Sequence, residues 1–266
     1  MVARNNNRNR QPKGANKGGQ FAPETHEAAP TDSDTGGQQP SIVHCYPDGT
    51  IETKQWRNEA GKLDRADGPA IIGYRKKDGT RLTEEWYKDG EEHRVDGPAH
   101  IFYNPDGTVA EEKWYQNGKK HRADDPAFVV YHPNGTPRIE EWWQDGKQHR
   151  ADGPAVTYRN ENGQTKVEQW WQDGKLHRLD APAVIVSPGN GPVWGEEWYK
   201  DGQRHRTDGP ANVFYRSNNT LDTEEYWQDG RRHRLDGPAI IHYDECGKAE
   251  SEQWYLDGAP IDPIVK

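Results

Sequence analysis

The sequence predicts an all-β protein in which tandem antiparallel β-hairpin repeats of 28 residues form an elongated solenoid or meander sheet. Three observations carry that expectation. A lead aromatic recurs at Trp56, Trp86, Trp114, Trp142, Trp170, Trp198, Tyr226 and Trp254, in steps of 30 and then six times 28 residues. Asp-Gly or Asn-Gly follows shortly after, as at Asp145-Gly146 between WWQ and KQH, the two-residue signal of a type I′ hairpin. Finally, one segment of each copy alternates small, aliphatic and aromatic residues with the period of a strand.

The repeats begin after Pro40. Residues 1–40 are Asn, Arg, Gln, Gly, Pro and Thr with almost no apolar side chains, so burial cannot offset the entropy of ordering them, and a disordered tail is expected. The tail is weakly basic, with Arg4, Arg8, Arg10, Lys13 and Lys17 against Glu24, Glu27, Asp32 and Asp34. Residues 41–266 then hold seven copies and a truncated eighth.

Within a copy the elements follow in order. A strand carries Glu or Gln and then two aromatics, as in Glu84-Glu85-Trp86-Tyr87, and the Asp-Gly turn reverses it. A second corner is built on Asp-Gly-Pro, as at Asp152-Gly153-Pro154. The alternating strand comes next: Ala70, Ile72, Tyr74; Ala99, Ile101, Tyr103; Ala127, Val129, Tyr131; Ala211, Val213, Tyr215; Ala239, Ile241, Tyr243. A looser turn such as Asn104-Pro105-Asp106-Gly107 closes the copy. Repeats four and five place Arg159 and Ser187 where the others have Tyr, so the array should be least regular there.

Composition fits a thin core. Leu, Ile, Val and Phe make up only about 13 % of the chain, a level at which disorder becomes the default reading. Eleven Trp and twelve Tyr argue against that default. No single copy can stand alone, because ordering each residue costs roughly 1–2 kcal/mol while each buried large side chain returns only about 1.5–3 kcal/mol. Neighbours must supply the rest, as in other repeat arrays.

Charge and cysteine content limit the function classes. A net charge of −9 disfavours general nucleic-acid binding, with the tail the one segment that could touch it. Cys45 and Cys246 fall in the first and last parts of the array, too far apart for an intrachain disulfide. With no long apolar span and no apolar leader segment, the sequence reads as a soluble, cytoplasmic protein with no membrane contact.

The sharpest chemical motif is His-Arg-x-Asp: His93, Arg94, Asp96; His121, Arg122, Asp124; His149, Arg150, Asp152; His177, Arg178, Asp180; His205, Arg206, Asp208; His233, Arg234, Asp236. A His beside an Asp suits acid–base chemistry or a metal. Each copy nevertheless offers only one His and one Asp, and copies about 10 Å apart cannot share a zinc with ligands about 2 Å away. The expectation is a structural ladder without catalytic residues, metal or cofactor, in which His packs on the Trp of its own hairpin and Arg pairs with Asp to hold the corner. The first copy, Asp64-Arg65-Ala66-Asp67, lacks the His and keeps the other two.

A Glu ladder at Glu84, Glu112, Glu140, Glu168, Glu196 and Glu224, continued by Glu252, stands two residues before each lead aromatic. It reads as a solvated acidic face, and so as a surface for a protein partner. Glycan processing through paired carboxylates is the competing reading. The aromatic stripes likewise read as core, with a sugar-stacking platform as the alternative.

The block from Trp86 to Gly107, WYKDGEEHRVDGPAHIFYNPDG, and its copies resemble the MORN-repeat-variant class over about residues 46–258. The added His-Arg-x-Asp-Gly-Pro-Ala segment lengthens the unit beyond that class's usual repeat. The resemblance implies a hairpin array used for binding or scaffolding, including antitoxin-like bacterial proteins, and implies no reaction. A shorter stretch of the tail, Lys13 to Pro23, resembles a segment near the N-termini of some phage and bacterial proteins.

Overall fold

A computed structural model describes residues 38–262, so the tail expected over residues 1–40 lies outside the described residues except for its last three. Of those three, Gln38 touches the array: its carbonyl accepts the indole N–H of Trp56 at 2.9 Å, and Trp56 is fully buried.

The described residues form thirty strands and no helix. Sixteen of the strands make one continuous sheet running from Ile42–Cys45 to Ala249–Gln253, with spatial order following chain order. Its two edges do not pair with each other, so the array is an open meander.

One copy shows how the sequence makes this shape. Strand His100–Tyr103 turns through Asn104-Pro105-Asp106-Gly107 into Val109–Lys113. Asn104 N–H donates to the Thr108 carbonyl at 2.7 Å and Thr108 N–H donates to Asp106 Oδ1 at 3.0 Å. Gly107 takes a φ of 85°, and the register slips by one residue beside Tyr103. That is a three-residue hairpin loop closed by a bulge, which needs Gly at the left-handed position.

After the lead aromatic Trp114 comes a short hairpin, Tyr115–Gln116 against Lys119–Lys120. In the next copy Asp145 and Gly146 have φ of 49° and 79°, the two left-handed residues of a type I′ turn. The lead aromatic is the joint between sheet and hairpin. Trp142 N–H donates to the Ala155 carbonyl at 2.7 Å, while its own carbonyl accepts from His149 N–H at 3.0 Å. Adjacent hairpins are tied as well, through Arg150 N–H to the Trp171 carbonyl at 3.2 Å and Gly174 N–H to the Gln148 carbonyl at 2.9 Å.

Alternation sorts the sheet into two faces. One carries the lead aromatics, the Ala and Ile/Val positions and the Glu ladder; the other carries the residues between them. Every corner Ala from Ala70 to Ala239 is fully buried, which explains the small residue there.

Repeat five is irregular as expected, its strands Val184–Val186 and Gly195–Glu197 being cut to three residues each. Repeat four is not. Strands Val156–Arg159 and Thr165–Gln169 keep full length because Arg159 Nε reaches Glu140 Oε2 at 2.9 Å, the carboxylate that a Tyr hydroxyl meets in other copies.

Candidate binding face

The corner is built around Arg. In every full copy its guanidinium lies over the lead aromatic of the same repeat, 3.8–4.1 Å from the ring centroid for Arg94, Arg122, Arg150, Arg178 and Arg206 on Trp, and 3.9 Å for Arg234 on Tyr226. The first copy does the same with Arg65 on Trp56. Each Arg also donates to the corner Pro carbonyl, as Arg94 does to Pro98 at 3.2 Å. Arg94, Arg150, Arg206 and Arg234 hold Asp96, Asp152, Asp208 and Asp236 at 2.8–3.3 Å. Arg122 turns instead to Asp125, which replaces the corner Gly, and leaves Asp124 exposed, as Asp180 also is. At Gly97 a Cβ would stand 2.7 Å from Arg94 Cζ, so the corner glycine makes room for the guanidinium.

One face of each lead ring is thus taken by the Arg of the motif. Each His reaches forward to the next copy. Nδ1 of His93, His121, His149, His177, His205 and His233 accepts the backbone N–H of Asn117, Asp145, Asp173, Asp201, Asp229 and Asp257 at 3.1–3.2 Å. Asp64, in the His position of the first copy, accepts Asp89 N–H through Oδ1 at 2.8 Å. A carboxylate serves where His is missing because the task is only to accept a turn N–H. Among the described residues no group of three or more His, Cys, Asp or Glu is placed to hold a metal ion.

The Glu ladder is not a solvated partner surface, and here the expectation is corrected. Glu84, Glu112 and Glu140 are buried, and Glu168, Glu196 and Glu224 are half-buried. Tyr103, Tyr131 and Tyr243 donate their hydroxyls to Glu84, Glu112 and Glu224 at 2.9, 2.8 and 2.8 Å. Glu84 also pairs with Arg81. Burial, followed by the neighbouring Glu84 charge, pushes the Tyr103 hydroxyl well above the usual phenol range. Carboxylates that face a core and are already hydrogen-bonded from the next copy are rungs between repeats.

Apart from the corner residues Val95, Leu179 and Leu235 and the loop residue Trp194, which are exposed singly, an apolar row lies on the opposite face. Phe102, Glu111, Val130, Ile139, Tyr158, Val167, Val186, Gly195 and Phe214 are directly opposed across nine consecutive strands. Seven of these carry large apolar side chains; Phe102 is 39 % exposed and Tyr158 37 %, and the other five are half-buried. At about 4.8 Å per strand the band runs roughly 40 Å. In the end repeats the same positions hold Gly73 and His242, so the band is confined to the middle of the array. Sequence reading missed it, although the signal was present: these positions fall between the two core positions of each strand, where a half-solvated strand carries polar residues.

Beside the band runs the second aromatic of each hairpin. Except at Tyr115, where Lys113 stands two residues earlier, its polar tip is tied to the acid or amide at that position, as in Trp143 Nε1–H to Glu141 Oε2 at 2.8 Å and Tyr199 Oη–H to Glu197 Oε2 at 2.9 Å. Cations fill the gaps between these rings: Lys120 Nζ lies 4.7 Å from the Trp143 ring, and Arg232 lies 5.2 Å from Trp227 and 5.4 Å from Tyr255. Desolvation, the largest influence on it, pulls the Lys120 ammonium below its ordinary range.

No family model matches the chain, and no curated protein does. Among solved structures it is similar to an alternansucrase in complex with isomaltononaose, at 16 % identity and a TM-score of 0.22, over 85 % of this chain and 15 % of that one. The chain thus spans a small part of that enzyme, and a likeness this loose carries no argument.

Proposed function

We propose that the array is a non-catalytic scaffold that docks a protein partner on the apolar band of its middle repeats. The observation that carries this is the band itself. Five apolar side chains, Val130, Ile139, Tyr158, Val167 and Val186, follow one another on five neighbouring strands, with Phe102 and Phe214 beyond Glu111 and Gly195 at either end, and such an apolar row is the kind of surface that marks an interaction site. Paired charges flank the row: Arg204 with Glu197 at 3.1 Å lies beside it, and Glu111, which stands in it between Phe102 and Val130, is held by Lys113 at 2.6 Å. This reading agrees with the binding role implied by the resemblance to MORN-repeat variants.

The glycan-binding alternative asks for free aromatic faces beside free carboxylates. The lead aromatics carry a stacked Arg and the ladder carboxylates face the core, so no specific observation favours it. The deciding experiment is affinity capture from the native host with the full chain and with an F102S/Y158S variant, alongside a glycan array. A protein held by the wild type and lost from the variant is the expected result. Glycan binding that persists in the variant, with no protein lost, would overturn the reading.

A further inference from the structure

Each internal step of the long sheet follows one rule. The strand before a lead aromatic pairs with the apolar strand of the next copy: Thr223 faces His242, Glu224 faces Ile241 and Glu225 faces Ile240. The lead aromatic then donates its N–H to the Ala that opens that strand, as Tyr226 does to Ala239 at 2.8 Å.

At the two edges of the sheet the rule is half satisfied. Among the described residues Ala249–Gln253 pairs on one side only, with Ile240–Tyr243, and all five of its residues are exposed. Among the described residues no carbonyl accepts Trp254 N–H as Ala239 accepts that of Tyr226. At the other edge, among the described residues, Ile42–Cys45 pairs only with Ile51–Gln55, and Ile42 and Val43 are 36 % and 45 % exposed. An edge strand with exposed apolar side chains is a template for pairing.

The two edges match. Ser41-Ile42-Val43-His44 shares Ile and His with Ala239-Ile240-Ile241-His242 and puts Ser for Ala and Val for Ile, while Ser251-Glu252-Gln253 keeps the middle Glu of Thr223-Glu224-Glu225 and puts Ser for Thr and Gln for Glu. We infer that the first strand of a second copy of this chain continues the sheet at Ala249–Gln253, with His44 opposite Ser251, Val43 opposite Glu252 and Ile42 opposite Gln253. The Ser41 carbonyl then takes the Trp254 N–H. Because the two surfaces differ, the contact is head-to-tail and does not close on two copies, so stacks of increasing length form. Cys45 replaces the Tyr whose hydroxyl meets the ladder Glu inside the array, as Tyr243 meets Glu224, so the junction lacks that bond and is weaker than an internal step.

The test is sedimentation velocity of the full chain over a concentration series, beside V43E and V43E/E252K variants. Val43 lies on an exposed edge, so V43E should fold, and its circular dichroism and melting curve check that. The wild type is expected to grow in steps of one chain mass. V43E sets two carboxylates opposite each other and should raise the concentration for half-association at least about tenfold. The double variant, with Glu opposite Lys, should restore association. A wild type that stays monomeric at every concentration, or an association that V43E leaves unchanged, overturns the inference.

Discussion

The two faces of the sheet are made from the same strands and treat polarity in opposite ways. The lead-aromatic face buries charge: Glu84, Glu112 and Glu140 sit among Ala, Ile, Val and Tyr, and are kept there by hydroxyls and guanidinium groups from neighbouring positions. The other face buries one row, at Val156, Val184 and Ile240, and leaves the apolar side chains of the neighbouring band half in water. A repeat array that needs only cohesion would do the reverse. The difference teaches that the Glu ladder belongs to the joint between copies, and that the band centred on Tyr158 calls for an explanation outside the chain.

Adjacent residues give the largest separation of the two faces. Val129 is buried on one and Val130 half-buried on the other. V129A should cost about 2 kcal/mol, near the lower end for truncating a buried aliphatic side chain. V130A should stay under about 1 kcal/mol. Urea denaturation of both variants measures the contrast, and equal losses would erase the distinction.

Next in size is the hydroxyl-to-carboxylate rung. Y131F removes one donor from buried Glu112 and should cost about 1–3 kcal/mol. The alkaline limb of stability reports on the same rungs. Tyr103 and Tyr243 are raised above their ordinary range, first by burial, with the neighbouring Glu charge and hydrogen bond adding to it. A group whose folded pKa lies above its unfolded value contributes stability that is full below the unfolded value, about 10 for Tyr, and is lost as pH rises beyond it. Melting temperature should therefore fall above about pH 10 in the wild type, and less steeply in a Y103F/Y243F variant. Parallel pH profiles would remove the rungs from the account.

Much of this architecture was legible in the sequence. Asp-Gly after the aromatic pair demanded two left-handed residues, and the chain supplies them at every such turn from Asp89-Gly90 to Asp257-Gly258. The alternation of Ala99, Ile101 and Tyr103 marked one face of its strand. The partners of the corner were harder to read, because His and Arg are adjacent and either could have turned to the Trp. Only the stacking of copies decides that His93 meets Asn117, 24 residues ahead, while Arg94 folds back on Trp86. The burial of Glu84 could have been inferred. It shares the alternation parity of Trp86, so it had to stand on the aromatic face, and Tyr103 is the hydroxyl that alternation brings to that face.

The smallest expected effect on stability belongs to F102S/Y158S, within about 1 kcal/mol for two exposed positions. Its effect on partner capture should be the largest of any variant. That opposition between stability and binding is the signature of a docking surface.

The most direct measurement is hydroxyl-radical footprinting of the full chain, alone and with the partner obtained by capture. Phe102 and Tyr158 should label readily in the free protein and be protected in the complex, with Tyr103, which is 4 % exposed, unlabelled in both. Equal labelling of Phe102 and Tyr103 in the free chain, or protection that falls on the hairpin turns and spares the band, would contradict the account.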